Sequence, residues 1–209
     1  GWECVKLHFT EMGRNVQTDS ATVIGVGDMS GDVFGNGMLQ SKTIKLKAAF
    51  NHMHIFLDPD PDTEISWQER KRLFEMHGST WNDYSNDLIS SGGGVFERYA
   101  KSIKLTPEVK ELLGTDDENL TGIEVVRRIL LMEVDLLWLG GIGTFIKSDS
   151  ESDFHVGDQT NNDVRINSSE CRVKVIGEGA NLGLTHLARI ELSNNGVRLN
   201  SDSVDNSAG

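Results

Sequence analysis

Apolar residues along this chain follow two periods, one helical and one typical of short strands. Near the amino terminus, Trp2, Val5, Phe9 and Met12 recur at helical spacing, which predicts an amphipathic lead-in helix within residues 1–13. Shorter apolar runs then alternate with further helical patterns. The runs that predict strands cover residues 22–24, 44–50, 54–57, 135–139, 171–176 and 197–200. The patterns that predict helices cover residues 31–39, 66–76, 106 onward and 121–133, and residues 148–162 form a polar surface segment.

Two of the predicted helices carry start signals. Ser66 and Glu69 have the spacing of a capping box, and Thr106 precedes Pro107, which suits the first position of a helix. These signals support the alternation of strands and helices along the chain.

Glycine-rich turns follow three of the predicted strands, at residues 25–27, 140–143 and 177–179. Strands that alternate with helices form parallel sheets, and ligands of such sheets bind at the carboxyl ends of the strands. We therefore predict an α/β fold, a Rossmann-like doubly wound, mostly parallel sheet with helices on both faces.

The bulk properties narrow the class of partner. The 209 residues fit one domain, and a formal net charge of −12 argues against a nucleic-acid or anionic-membrane surface. Cys4 and Cys171 are too far apart for a metal-ligand spacing and suggest a reducing, cytoplasmic compartment. No apolar run has the length of a membrane span, and the scattered histidines predict no metal site.

The first glycine-rich turn has the context of a phosphate-binding turn, because it lies between a predicted strand and a predicted helix. Gly25 would permit a tight turn, and Gly27 would let the backbone approach a pyrophosphate, which the free N–H groups beyond would face. The Gly-x-Gly-x-x-x-Gly spacing is one residue longer than usual, and a glycine-rich connector without a ligand is the alternative. The candidate contacts are Gly25, Gly27, Asp28, Met29, Ser30 and Gly31.

A dinucleotide fold also needs a polar side chain for the adenine ribose, about 20 residues beyond the turn. Asn51 and Asp58 are the candidates, and the alternative is that both only stabilise turns. Neither position has an arginine nearby to accept a 2′-phosphate, so we predict NAD rather than NADP as the cofactor.

Longer motifs resemble one enzyme family. Residues 25–37 (Gly-Val-Gly-Asp-Met-Ser-Gly-Asp-Val-Phe-Gly-Asn-Gly), 54–59 (His-Ile-Phe-Leu-Asp-Pro), 135–143 (Asp-Leu-Leu-Trp-Leu-Gly-Gly-Ile-Gly) and 175–183 (Val-Ile-Gly-Glu-Gly-Ala-Asn-Leu-Gly) are similar to the large bacterial NAD-specific glutamate dehydrogenases. The resemblance covers essentially the whole chain. One departure is Asn51, where the large enzymes usually carry Asp.

The resemblance implies roles for residues in all three turns. The backbone of residues 27–31 would hold the pyrophosphate, and the second turn would lie under the ribose and nicotinamide of the cofactor. Asn181 and Asn206 would hydrogen-bond the nicotinamide ribose or carboxamide, and Glu178 would brace their loop. The candidates in the second and third turns and beyond are Gly140, Gly141, Ile142, Glu178, Asn181 and Asn206.

The resemblance also implies an activity, with cofactor binding and substrate binding in separate domains. Residues 1–209 would be the NAD-binding domain of a longer, homo-oligomeric enzyme that converts L-glutamate to 2-oxoglutarate and ammonia with hydride transfer to NAD. The catalytic Lys and Asp of the family belong to a substrate domain upstream, so we expect no catalytic residue here, and Lys147 is interpreted as a solvated strand-end lysine. The alternative is a non-catalytic nucleotide-sensing or interaction module with the same fold.

Overall fold

The computed structural model describes residues 1–29 and 32–206, and strands and helices alternate along it. The strands are β1 (Ala21–Val26), β2 (Ile44–Phe50), β3 (His54–Leu57), β4 (Gly94–Glu97), β5 (Ile103–Lys104), β6 (Asn119–Leu120), β7 (Leu136–Leu139), β8 (Ile146–Lys147), β9 (Ile166–Asn167) and β10 (Val175–Glu178). The helices are α1 (Trp2–Glu11), α2 (Asp32–Leu39), α3 (Thr63–Glu75), α4 (Pro107–Leu113), α5 (Gly122–Leu130), α6 (Asp153–Val156), α7 (His186–Asn194) and α8 (Asp202–Asp205).

The main sheet has six strands in the order β10-β7-β1-β2-β3-β4. Pairing is parallel from β10 through β2 and antiparallel from β2 through β4. The chain moves from β1 to β2 on one side and returns to place β7 on the other side of β1. Doubly wound sheets bind their ligands at such a reversal of strand order. The predicted α/β fold with a mostly parallel sheet is confirmed.

The two faces of the sheet carry separate hydrophobic cores, because successive side chains of a strand point to opposite faces. One core joins Val23, Leu46 and Trp138 of the strands to Phe9 of α1. The other core joins the strand residues whose side chains point to the opposite face of the sheet to helices α5 and α7. Completely burying a side chain such as Phe9 contributes roughly 1.5–3 kcal/mol. Helices therefore cover both faces, as the alternating pattern predicts.

The start of α3 differs from the predicted capping box. The N-cap is Asp62, whose carboxylate accepts a hydrogen bond from the Ile65 N–H at 2.9 Å. Ser66 lies buried inside the helix and accepts from Arg70, while Glu69 pairs with Arg72 at 2.7 Å. An acidic residue just ahead of the helix can satisfy its free N–H groups as well as a serine can, so the helix starts one turn earlier.

The other predicted boundaries hold to different degrees. The Thr106 cap and Pro107 start of α4 are confirmed. The strand predicted over residues 171–176 begins only at Val175 and extends to Glu178. The strand predicted over residues 197–200 is wrong, because this segment meets β10 in a single bridge between Arg198 and Val175. Within the described residues, no helix is long and apolar enough to cross a membrane.

Candidate functional site

The turn after β1 begins at Gly27 rather than at Gly25. Gly25 lies within β1, paired with Ala49 on one side and Trp138 on the other, so its predicted role in the tight turn is wrong. Gly27 has φ = 131°, a backbone conformation that side chains other than glycine rarely adopt. Its N–H donates to the Phe50 carbonyl at 2.9 Å, which continues the sheet by one hydrogen bond before the chain turns away.

The first and second glycine-rich turns touch at the reversal of strand order. The Gly140 N–H donates to the Val26 carbonyl at 2.7 Å. A Cβ at Gly27 would lie 3.3 Å from the carbonyl carbon of Gly140, closer than an ordinary van der Waals contact, so a side chain there would push against the second turn. The indole N–H of Trp81 donates to the Gly27 carbonyl at 2.9 Å and fixes the turn from the other side. The backbones of the two strand ends therefore lie in direct contact.

The second turn carries an unusual backbone. Gly141 and Gly143 have φ = 133° and 132°, and Ile142 between them has φ = 66°. A β-branched residue in the left-handed region costs on the order of 1–3 kcal/mol and persists only where surrounding contacts fix it. The Ile142 carbonyl accepts a hydrogen bond from Asn161 Nδ2 at 3.1 Å, which is one such contact.

The third turn follows β10 and opens into a cleft. The Gly179 N–H donates to the Leu139 carbonyl at 2.8 Å, so this turn lies beside the second one. Asn181 is exposed, and Asn206 is half-buried with its amide donating to the Asp202 carbonyl at 3.0 Å. The structure brings both predicted asparagines to one cleft of about 640 Å³. The cleft is lined by Gly179, Ala180, Asn181, Leu182, Asp202, Ser203 and Asn206.

Glu178 lies beneath this cleft and does not open into it. The side chain is buried at the end of β10, and its carboxylate accepts from Arg189 at 2.5 Å. The Glu178 N–H donates to Asp205 at 2.9 Å, which ties β10 to α8. Burial raises the pKa of Glu178, and the Arg189 guanidinium works against that rise. This geometry suits the predicted bracing role.

Asp28 and Asn51 meet at the carboxyl end of β2. The Asn51 amide donates to the Asp28 carboxylate, and its carbonyl oxygen accepts from the N–H groups of Met53 and His54, at 2.8 and 2.6 Å. Asn51 is completely buried. The Asp28 carboxylate is the more open group and lies 3.9 Å from His52 Nδ1. Asn51 therefore holds the hairpin turn and orients the Asp28 carboxylate.

Asp58, the other residue predicted as a ribose contact, does not join this cluster. Because β3 runs antiparallel to β2, the chain leaves β3 beside the middle of β2, where the Asp58 N–H donates to the Lys47 carbonyl at 2.9 Å, and not at the carboxyl end of β2. The buried Asp58 carboxylate accepts from the N–H and hydroxyl of Ser90. Burial raises the pKa of Asp58. The hydrogen bonds from Ser90 lower it, but by less.

The remaining candidates lie in and around the first turn. Met29 is completely buried and packs in the core that α1 covers. Ser30 and Gly31 lie outside the described residues. Elsewhere in the described ranges, no group of three or more His, Cys, Asp or Glu side chains could hold a metal ion.

Comparison with known proteins matches the whole chain to one family. The family model described as the bacterial NAD-glutamate dehydrogenase catalytic domain covers residues 1–209. The chain belongs to this family. NAD-specific glutamate dehydrogenases from Mycobacterium tuberculosis and Halomonas elongata are 54% and 52% identical to it over its full length. The chain spans 13% of the length of each of these two relatives.

Solved structures of other glutamate dehydrogenases share the fold. A glutamate dehydrogenase from Plasmodium falciparum has a TM-score of 0.56 at 15% identity, over 99% of this chain and 34% of its own. A hetero-hexameric glutamate dehydrogenase from Thermus thermophilus has a TM-score of 0.52 at 14% identity, over 99% of this chain and 35% of its own. At this identity the likeness shows the fold alone.

Some residues of this glutamate dehydrogenase domain that shape the site were missed from the sequence. Arg98 and Asn161 are both 2% exposed and join the second turn to the β2–β3 hairpin. Gly37 of α2 makes room for an indole, since a Cβ there would lie 2.1 Å from Trp138. Of these residues, only Gly37 could have been found from the sequence, by its spacing within a helical pattern. The buried polar pair is distant in sequence and matches no motif.

Lys147 of this domain is not a solvated lysine as interpreted from the sequence. Its ammonium group donates to the Glu151 carbonyl at 2.8 Å and to Asn167 Oδ1 at 2.6 Å, and the side chain is half-buried. These contacts tie β8 to β9 and give Lys147 a structural role. It does not line the cleft that contains Asn181.

Proposed function

We propose that this chain is the NAD-binding domain of a glutamate dehydrogenase. The observation that carries the proposal is the meeting of three glycine-rich turns at the carboxyl ends of β1, β7 and β10. Backbone approaches another backbone there without intervening side chains, as a pyrophosphate site needs. Membership of the bacterial NAD-glutamate dehydrogenase family supports glutamate as the substrate of the full-length protein, with 2-oxoglutarate and ammonia as products.

The residues of this chain would bind and orient the cofactor. NAD, when bound, would accept the hydride that leaves the Cα of glutamate. The backbone at Gly27 would lie against the pyrophosphate, and the second turn, at Gly140 and Ile142, would support the ribose and nicotinamide. Asn181 and Asn206 line one cleft and carry amides that can hydrogen-bond a carboxamide or a ribose hydroxyl.

Charge at the end of β2 supports NAD over NADP. The Asp28 carboxylate lies beside His52 and is held there by Asn51. A carboxylate can accept hydrogen bonds from ribose hydroxyls but repels a 2′-phosphate. Asp28 therefore takes the role that was assigned from the sequence to Asn51 or Asp58.

Substrate chemistry would depend on other parts of the full-length protein. Oxidative deamination needs a base with a suitable pKa and cations for the carboxylates of glutamate. Among the described residues, the cleft around Asn181 is lined by no lysine or arginine. We therefore assign no catalytic residue to this chain and propose that its cleft faces a separate substrate domain. One matched structure is a hetero-hexamer, and we propose an oligomer here as well.

A glycine substitution in the full-length protein tests the cofactor site. In Gly27→Ala the new Cβ would crowd Gly140 and strain the turn, so we expect NAD affinity to fall about tenfold or more. Gly78→Ala is the matched control, because Gly78 also has a positive φ of 71° but a Cβ there would have nothing within 4 Å. Both variants should lose roughly 1 kcal/mol of stability.

Calorimetric titration with NAD and NADP, together with glutamate-dependent reduction of NAD, measures the outcome. We expect the wild type to prefer NAD and the control to keep wild-type affinity. Folded wild-type protein that binds neither nucleotide would overturn the cofactor assignment. Binding of NAD without any turnover of glutamate would instead favour a nucleotide-sensing module.

A further inference from the structure

Arg98 and Asn161 form a buried bridge between two of the loops at the candidate site. We propose that they are positioning residues, which hold Ile142 in its left-handed conformation and thereby fix the loop under the nicotinamide half of the cofactor. This inference rests on the proposed function and assigns a role to two residues that contact no cofactor themselves.

Asn161 has every polar atom of its side chain engaged. Its Nδ2 donates to the Ile142 carbonyl at 3.1 Å and to Asp158 Oδ2 at 2.8 Å. Its Oδ1 accepts from Arg98 Nη2 at 2.8 Å. Because an arginine can only donate, the amide oxygen must face Arg98, and the NH₂ group must face Ile142. The orientation of this amide is therefore fixed by its surroundings.

Arg98 carries the connection to the first turn. Its Nη1 donates to the Asn51 carbonyl at 2.8 Å, and the side chain amide of Asn51 in turn donates to Asp28. The guanidinium lies over the ring of Phe50, with its carbon 5.5 Å from the ring centroid. Burial lowers the pKa of Arg98. One planar group thus spans the β2–β3 hairpin and the Asn161 side chain, which a single ammonium group could not do with the same geometry.

The neighbouring Gly143 shows that the loop is shaped to lie on this bridge. A Cβ at Gly143 would lie 2.2 Å from Asn161 Nδ2 and 2.5 Å from Asp158 Oδ2. Glycine is therefore required for the second turn to approach the amide. Ile142 has no comparable conformational freedom, and the hydrogen bond from Asn161 to its carbonyl opposes its return to an extended backbone.

The same network continues to the third turn. Asp158 Oδ2 also accepts from the Thr144 N–H at 2.9 Å, and the Thr144 hydroxyl donates to the Leu182 carbonyl at 2.7 Å. Leu182 follows Asn181 and has φ = 62°, a second left-handed residue that is not glycine. Contiguous hydrogen bonds therefore join Asp28 in the first turn to the loop that carries Asn181.

This geometry predicts an effect confined to one half of the dinucleotide. Loss of the Asn161 amide would release Ile142, which would move the backbone under the nicotinamide and its ribose. The first turn keeps its own hydrogen bonds through Gly27 and Trp81, so the site for the pyrophosphate and adenosine would remain. NADH, which spans both halves, should respond, whereas ADP should not.

The experiment compares Asn161→Ala with Asn194→Ala in the full-length protein. Asn194 is an exposed residue at the end of α7 and serves as the matched control. Calorimetry with NADH and with ADP gives two affinities for each variant. We expect Asn161→Ala to weaken NADH binding about tenfold, to leave ADP binding within twofold of the wild type, and the control to change neither.

A second substitution separates positioning from general stability. Asn adopts the left-handed conformation more readily than Ile, so Ile142→Asn should reduce the need for the Asn161 contact. We expect Asn161→Ala to weaken NADH binding much less in the Ile142→Asn background than in the wild type. If Asn161→Ala does not fold, Asn161→Ser replaces it, because the short hydroxyl side chain adds no charge beside Asp158 and cannot span the distance to the Ile142 carbonyl.

The outcomes are distinguishable. Equal losses for NADH and ADP, or a loss that Ile142→Asn does not reduce, would overturn the positioning role and leave a structural one. Unchanged NADH binding in a folded Asn161 variant would overturn it too. Wild-type protein that binds neither NADH nor ADP would contradict the proposed function itself.

Discussion

Asn181 presents an exposed amide to the cleft beside the third turn. Its side chain is exposed in the cleft and makes no hydrogen bond within the part of the chain that the structure describes. An asparagine that contributes nothing to the internal hydrogen bonding can be removed with little effect on the fold. If it binds the nicotinamide ribose or carboxamide as proposed, its loss should appear in turnover.

We therefore expect Asn181→Ala in the full-length protein to lower glutamate-dependent NAD reduction by at least about tenfold, because one hydrogen bond to the cofactor is lost. Its free energy of unfolding should change by less than about 0.5 kcal/mol, as for other exposed positions. Asn195→Ala, at another exposed asparagine, is the control and should alter neither quantity. An unchanged rate for Asn181→Ala would remove this residue from the site.

Residue types explain which parts of the site could be predicted from the sequence. Gly27 and Asn181 stand in motifs whose composition is tied to their chemistry. Arg98 and Asn161 carry no such signal, because their importance comes from burial and from contacts between segments 63 residues apart. Asp28 was predicted as part of the turn, but its orientation by Asn51 depends on the β2–β3 hairpin.

At the scale of elements, one buried carboxylate joins the amino ends of three parallel strands. Asp135, just before β7, accepts from the Thr22 N–H of β1 at 3.0 Å and from Arg14 at 2.7 Å. Lys174, just before β10, donates to it at 2.9 Å. Burial alone would raise the pKa of Asp135, but these hydrogen bonds outweigh it and hold the pKa at about 2.

This depressed pKa sets the direction of a pH effect. The carboxylate is charged in the folded protein down to about pH 2, against an ordinary value of 3.8, so its stabilisation is present above pH 3.8 and is lost as the pH falls towards 2. The shift corresponds to about 2 kcal/mol. Asp135→Asn should therefore destabilise the protein by about that amount at pH 7 and by much less near pH 2.

Denaturant unfolding of wild type and variant at the two pH values measures this difference. Asp163→Asn, at an exposed carboxylate, is the control and should cost under about 0.5 kcal/mol at either pH. A penalty for Asp135→Asn that stays the same from pH 7 to pH 2 would show that the charge of Asp135 is not what stabilises the strand ends.

The direction of β3 shows what an element-level prediction needs beyond an apolar pattern. Three residues separate β2 from β3. A parallel crossover requires a dozen residues or more, so the short connection demands an antiparallel hairpin, which carries Asp58 away from the carboxyl end of β2 to a position beside Lys47. The connection length was a usable signal. For residues 197–200 the sequence held no usable signal, because a single bridge and a full strand have the same local sequence pattern.

At the scale of the whole molecule, the polar turns lie together at the carboxyl ends of the parallel strands. The cleft beside them is lined by two amides, a hydroxyl and one carboxylate, together with the apolar side chains of Ala180 and Leu182. Glutamate, the substrate proposed for the full-length protein, needs cations for its carboxylates, and the chain spans only 13% of the length of the Mycobacterium tuberculosis relative. Cofactor binding and substrate binding are therefore expected to belong to different parts of the full-length protein.

The last prediction separates these two activities. The 209-residue chain alone should bind NADH, with lower affinity than the full-length protein because one wall of the cleft is absent. It should show no glutamate-dependent reduction of NAD, since no lysine or arginine among the described residues lines the cleft to hold the substrate carboxylates. Fluorescence titration with NADH and an absorbance assay with glutamate and NAD measure the two activities on the same samples. Adding glutamate should not tighten NADH binding by the chain alone, whereas it should do so in the full-length protein, where both ligands meet. Turnover of glutamate by the isolated chain would contradict this division and require a base and a carboxylate site within these residues.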